Sequence, residues 1–215
     1  MTVEATLRAT LALLIGFALG SVLPADLLAR RRGIDIRSVG DGNPGTWNAF
    51  AGLGWGAGLI TAVYDISVGV VAIQLARLLD VSEGLAYLAG IMTVVGHRFP
   101  VFRGFRGGGQ GMGSTAGMLV YGVATAVFSG WLSVADVAVL IAVGAIAFAV
   151  TRSGIMVAIA MLPILVAEVF FAYTDWTFLV FMTAVAGHIW VVQAVTLRHG
   201  NRQQAARHLH GQTRH

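Results

Sequence analysis

From Gly107 to Thr151 the chain carries a single charged side chain, Asp136. A soluble domain cannot present such a run to water. About a quarter of a soluble domain's residues are charged, against 11% here. Apolar runs of this kind recur along the sequence and approach the 20 or so residues that cross a bilayer as a helix. Within lipid the backbone must satisfy its own hydrogen bonds, which selects helices. The fold class is therefore all-α, a polytopic integral membrane helical bundle, and the lipid bilayer is its first partner.

Seven spans are expected, at about Ala9–Ala29, Leu53–Leu75, Leu85–Val95, Met112–Trp131, Val134–Val150, Ile155–Tyr173 and Phe178–Leu197. The third and fifth are short, so six or five spans remain alternatives. The first is longer than a signal-peptide core and is followed at once by Arg30-Arg31-Arg32, a stop-transfer pattern, so it is expected to be retained. Residues 1–198 read as one transmembrane domain. Residues 199–215 form a polar tail, rich in His, Gln and Arg, that is expected to be mobile. Glycine pairs at four-residue spacing, Gly16 with Gly20, Gly54 with Gly58 and Gly113 with Gly117, predict close helix packing.

All 14 basic residues are arginine, and there is no cysteine. Lysine chemistry, disulfides and thiolate metal sites are excluded, and every cation is a permanent guanidinium. Arg30, Arg31, Arg32 and Arg37 follow the first span. Arg98, Arg103 and Arg106 follow the third, Arg152 the fifth, and Arg198, Arg202, Arg207 and Arg214 the seventh. The opposite turns carry Asp80, Glu83, Asp136 and Asp175. The positive-inside rule puts the arginine-rich side in the cytoplasm, the N-terminus outside and the C-terminus in the cytoplasm. The arginines sit in short loops rather than along one solvated face, so nucleic acid is not a partner.

Two of the cytoplasmic loops carry the chemistry. The first runs from Gly33 to Asn48 and includes Arg37, Asp41, Asn43 and Asn48. The second runs from Gly96 to Gly111 and includes His97, Arg106, Gly107, Gly108, Gly109 and Gln110. Each is rich in turn-forming residues and leads into a helix N-terminus, where free amides and the helix dipole favour anions. Phosphate at a membrane surface is the ligand class this suits. Gly108 to Gly113 followed by Ser114 resembles a P-loop, but it lacks the lysine and follows no strand. Two acids lie at membrane depth. Asp65 must face the bundle and find a polar network, because an ionised acid in mid-bilayer costs roughly 2.5–3.5 kcal/mol. Glu168 lies nearer the outer interface.

Together these segments resemble the PlsY family, bacterial membrane glycerol-3-phosphate acyltransferases that use acyl phosphate. The resemblance starts at Leu19-Gly20-Ser21-Val22-Leu23-Pro24 and passes through Gly33-Ile34-Asp35-Ile36-Arg37-Ser38-Val39-Gly40. It continues in Gly42-Asn43, Gly45 and Asn48, then Asp65, then Gly96-His97 with Phe99-Pro100-Val101-Phe102 and Gly104-Phe105-Arg106-Gly107-Gly108. Arg152-Ser153 is a fainter third match. The resemblance implies transfer of an acyl group from acyl phosphate to glycerol 3-phosphate or a related acceptor, in phospholipid biosynthesis at a bacterial inner membrane. Acyl phosphate is already activated, so no cofactor and no metal are called for. By resemblance, His97 positions or deprotonates the acceptor and Asn43 orients it; Asp41, a carboxylate this chain adds, is read from its own chemistry as a general base for the acceptor hydroxyl. Arg37, Asn48, Arg106, Gly107, Gly108, Gly109, Gln110, Gly111 and Ser114 bind substrate or phosphate, and Asp65 forms the buried network.

The chain also departs from that family. Asp41 stands where the family has serine, Thr46-Trp47 where it has Ala-Thr, and Ala51 where it has arginine. Gly109-Gln110 and Val68 stand where it has lysines. Removing cations and adding an acid weakens a site for two anions. The alternative is therefore a catalytically divergent homologue that binds lipid or phosphate, or supports another membrane protein. A small transporter or flippase is a third reading, raised by Asp65 and the glycine-rich helices, but the sequence has no inverted repeat.

Overall fold

The computed structural model describes residues 2–151, 160–165, 167 and 175–212, with side chains through residue 195. Eight helices are delimited among them: α1 (Val3–Gly20), α2 (Pro24–Arg31), α3 (Thr46–Leu53), α4 (Trp55–Leu78), α5 (Glu83–Arg98), α6 (Met112–Phe128), α7 (Val134–Thr151) and α8 (Trp176–Gln212). Single 3-10 turns cover Ile36–Ser38 and Val101–Arg103. All regular structure in the described residues is helical. Five stretches are long and apolar enough to cross a membrane: Val3–Gly20, Trp55–Leu78, Glu83–Arg103, Val134–Thr151 and Trp176–Val195. The 17-residue α6 is a shorter apolar helix. Most of the expected span Ile155–Tyr173, with Glu168 and the Arg152-Ser153 pair, lies outside the described residues.

The expected first span is corrected. It does not run from Ala9 to Ala29 but begins at Val3, ends at Gly20, and is followed by a separate helix from Pro24. The cause is Pro24 itself. A proline suits the first position of a helix, and it pushes the residue before it out of the helical region. Leu23 is accordingly extended, at φ −114° and ψ 91°. The first loop likewise leads not directly into the second span but into α3. Gly54, at φ +83°, then turns the chain sharply into α4. Phe50 of α3 packs edge-on against Trp55 across this corner, with ring centroids 5.1 Å apart.

Small residues let the helices touch through their backbones. A side chain at Gly16 would run into the Ala89 carbonyl, and one at Gly20 into the Thr93 carbonyl, so α1 lies directly on α5. Gly117 meets the Ile66 carbonyl in the same way, and a Cβ at Gly113 would fall 2.5 Å from that of Asp65, which joins α6 to α4. Two of the three glycine pairs thus pack helices as their spacing predicts. The third differs: Gly54 is a corner, and Gly58 makes room for the Phe50 ring. Between α5 and α8 the core is aromatic, with Tyr87 stacked on Phe181 at 4.5 Å and Phe178 beside both.

At the end of the bundle that holds the α4–α5 turn, the ion pairs are local. Arg77 meets Glu83 at 2.8 Å and lies over the rings of Tyr87 and Tyr121. Arg8 of α1 pairs with Glu4 and Asp80. The two glycine-rich loops lie at the opposite end.

Candidate functional site

The first loop is braced by its own side chains. Asp35 caps the 3-10 turn by accepting the Arg37 amide at 3.1 Å. Asp41 Oδ1 accepts the Asn43 amide at 3.1 Å and Asn48 Nδ2 at 2.7 Å. Asn48, which is buried in the first turn of α3, also donates to the Asn43 carbonyl at 2.9 Å. Asp41 and Asn48 together therefore hold Asn43 in place. Its amide oxygen faces across to the second loop and accepts the Gln110 N–H at 3.1 Å.

The second loop is instead held by its backbone and by partners from elsewhere. The Gly109 N–H donates to the His97 carbonyl at 2.9 Å, folding the loop back onto the end of α5. Gly108 rests against the carbonyls of His97 and Arg98, where no side chain fits. The Gly107 carbonyl accepts a guanidinium N–H from Arg37 of the first loop. Gly111, at φ +68°, forms the N-cap of α6.

Gly109 is the point of closest convergence. A Cβ placed there would lie 2.5 Å from His97 Nε2 and 2.9 Å from Asn43 Oδ1. The buried imidazole and the amide oxygen thus flank one glycine, one from each loop. This brings together Asn43 and Gly109, 66 positions apart in the chain. Beside them lie the N-terminus of α6 and the exposed Arg106, which has no side-chain bond among the described residues. Such a surface offers amide donors, an exposed guanidinium, an imidazole and amide groups. That set suits an anionic group with a reacting hydroxyl or carbonyl next to it.

The remaining expected residues stand further in. Ser114 does not face the loops; it is buried between α5 and α6, with its hydroxyl 2.6 Å from that of Thr93. Asp65 is 4% exposed and accepts the Thr46 hydroxyl at 2.9 Å, while its other oxygen has no hydrogen-bond partner among the described residues. That bond ties it to Thr46, the first residue of α3. Arg37 is engaged at both ends, on Gly107 and on the buried Asp26.

Three participants were missed from the sequence. Thr46 and Asp26 are two. The third is His188 of α8, whose Nδ1 lies 2.8 Å from the Thr115 hydroxyl in the first turn of α6. His188 is the sole titratable side chain between Trp176 and Val195, so the argument that singled out Asp65 applied equally to it. Asp26 was hidden inside a run read as one span, although Arg30 follows it at helical i,i+4 spacing.

The fold and the site define a class: an integral-membrane-type helical bundle whose loops form a backbone-amide cradle at one end. Within that class the chain belongs to the glycerol-3-phosphate acyltransferase family, whose sequence profile matches residues 10–207. Glycerol-3-phosphate acyltransferase 1 of Deinococcus radiodurans is 46% identical over 114 residues, 53% of this chain and 57% of that protein. The glycerol-3-phosphate acyltransferase of Chlorobaculum tepidum is 36% identical over 154 residues, 66% of this chain and 60% of that protein. The matches thus span little more than half the length of these relatives. The fold is that of PlsY, an integral membrane glycerol 3-phosphate acyltransferase. Its crystal structure in the glycerol 3-phosphate form superposes with a TM-score of 0.65 at 22% identity, covering 94% of this chain and 92% of that one. The lysophosphatidic acid form gives 0.61.

Proposed function

We propose that this chain is a membrane acyltransferase that moves an acyl group from acyl phosphate to glycerol 3-phosphate or a closely related acceptor. The observation that carries this reading is the convergence of His97 and Asn43 on Gly109 beside the amides of the second loop. The acceptor hydroxyl attacks the acyl carbonyl carbon, an ester bond forms, and the bond from that carbon to the phosphate oxygen breaks. Inorganic phosphate leaves with the electron pair, and the hydroxyl proton passes to His97 Nε2. Arg106 and the amides of Gly107, Gly108 and Gly111 hold the phosphate, while the amides of Gly109 and Gln110 brace the loop on His97 and Asn43. Asn43 orients the acceptor, while Asp41 and Asn48 keep Asn43 in register and Asp41 presents its second oxygen to the acceptor. Much of the barrier is met by orientation, since the donor is already activated.

An apolar groove of about 550 Å³ beside α6, α7 and α8, lined by Leu119, Val123, Val127, Leu140, Leu165 and Ile189, opens further along α6 and suits an acyl chain in its chemistry. The chain crosses the bacterial inner membrane seven times, with its N-terminus outside and both loops in the cytoplasm. The arginine asymmetry supports this orientation, and the five long apolar helices and α6 support six of the seven crossings.

Phosphate release from acyl phosphate by the reconstituted protein, over a panel of glycerol 3-phosphate, glycerol and amino alcohols, tests the reading. His97→Ala and Arg106→Ala are expected to lower turnover at least 100-fold and 10-fold. Turnover indifferent to both removes these assignments. The absent family cations, at Ala51, Val68 and Gln110, favour one competing reading, a homologue that binds phosphate or lipid without turnover. Saturable binding with no phosphate release from any acceptor would establish it instead.

A further inference from the structure

Asp26 is 4% exposed, in the first turn of α2, and three guanidinium groups surround it. Arg37 Nη1 lies 2.5 Å from Oδ1, Arg30 Nε 3.0 Å from Oδ2, and Arg103 Nη1 3.5 Å from Oδ2. One carboxylate for three cations is more than neutralisation of a buried charge requires. The three arginines differ in what else they reach. Arg30 is half-exposed and belongs to the same helix as Asp26. Arg103 stands in the 3-10 turn that opens the second loop. Arg37 comes from the first loop and passes beyond Asp26 to the Gly107 carbonyl. A Cβ at Gly107 would lie 2.8 Å from Arg37 Nε, so the guanidinium lies directly on the glycine backbone.

We infer that Asp26 is a positioning residue for acyl transfer: by fixing Arg37 it clamps the second glycine loop onto the first. This rests on the acyltransferase reading above. A guanidinium is a planar fork that can grip two acceptors at once, which a lysine ammonium on a flexible stem does poorly. Arg37 uses one arm on Asp26 and the other on Gly107. The Gly108 amide follows immediately, then the Gly109 and Gln110 amides that dock the loop on His97 and Asn43, so the path of the whole segment depends on where Gly107 is held. Arg103 ties the opening of the same loop to the same carboxylate. Asp26 thus anchors the loop at two places four residues apart, from a helix that touches neither substrate. Arg37, expected as a phosphate ligand, becomes part of the frame, and among the described residues Arg106 and Arg98 are left as exposed cations of the second loop.

The test combines kinetics with hydrogen exchange on the full-length reconstituted protein. Asp26→Asn keeps the shape and removes the charge. It is expected to lower kcat at least tenfold per folded molecule, to move KM for acyl phosphate and for the acceptor less than threefold, and to speed amide exchange over residues 107–110 at least tenfold. Arg37→Gln should match it, and the double variant should lose little more than either single one. Arg37→Lys should not rescue, because it restores charge without the fork. Arg30→Ala should stay within twofold of the parent in kcat. If Asp26→Asn does not accumulate in the membrane, Arg37→Gln and Arg37→Lys decide alone. Unchanged kcat and exchange would overturn the inference, as would a rise in KM at intact kcat or full activity in Arg37→Lys. If the parent shows no acyl transfer, the functional reading fails, and the exchange measurement still decides whether the clamp exists.

Discussion

The two ends of the bundle use arginine in opposite ways. At the α4–α5 turn, Arg77 has Glu83, and Arg8 has Glu4 and Asp80. Charges there are matched locally, by residues mostly open to solvent. At the loop end, one buried carboxylate serves Arg30, Arg37 and Arg103, and Arg106 and Arg98 are exposed beside it. The matched end is electrically quiet and serves only to tie helices together. The unmatched end keeps surplus positive charge, which draws anions towards the cradle. The difference lies in burial and stoichiometry rather than in residue type.

That contrast can be broken most severely at Asp26. Asp26→Ala strands the guanidinium groups around a desolvated site, and removal of one partner from a buried ion pair destabilises by about 3–5 kcal/mol. Thermal unfolding in detergent is expected to show a large drop in midpoint, with much less protein recovered from membranes. The next effect is catalytic rather than structural. Gly109→Ala forces His97 Nε2 and Asn43 Oδ1 apart, and misplacement of about 1 Å can reduce rate 100-fold. Steady-state assays should show kcat falling by that order. At the matched end the consequences shrink. Arg77→Ala removes an ion pair and contacts over two tyrosine rings, for a loss of about 1 kcal/mol. Arg8→Ala should shift stability by no more than about 0.5 kcal/mol, a change that 0.5 M salt largely erases in the parent. Equal losses for Arg8→Ala and Asp26→Ala would remove the distinction between the two ends.

What was legible in the sequence follows the same division. α4 and α7 could be read because long uniform apolar runs leave one choice of structure. The breaks at Ser21–Leu23 and Gly54 were obscured, because Val22, Leu23 and Trp55 are as apolar as their neighbours and only Pro24 and a glycine mark the turns. The loops themselves announced an anion site through composition. Their pairing did not, since the contacts of Arg37 with Gly107 and Asn43 with Gln110 bridge about 70 residues and depend on how α1, α4 and α5 pack. Ser114 looked like loop chemistry because it follows a glycine run, yet one helical turn carries it into the contact with Thr93. Asp65 was legible as a buried acid in need of a partner, while the identity of that partner, Thr46, required the corner at Gly54.

The second loop also bears on how a ligand is received. A glycine-rich segment is usually a source of slack, and closing it around a phosphate would carry a penalty in lost chain freedom. Here the glycines are needed for the opposite reason: at Gly108 the chain is pressed so closely on the His97 and Arg98 carbonyls that no side chain fits, and at Gly109 any side chain would displace His97 and Asn43. The path of the loop is already set before any ligand arrives. Recognition then takes little from the ligand's interaction energy for ordering the protein, and more of it is left for aligning the two reactants.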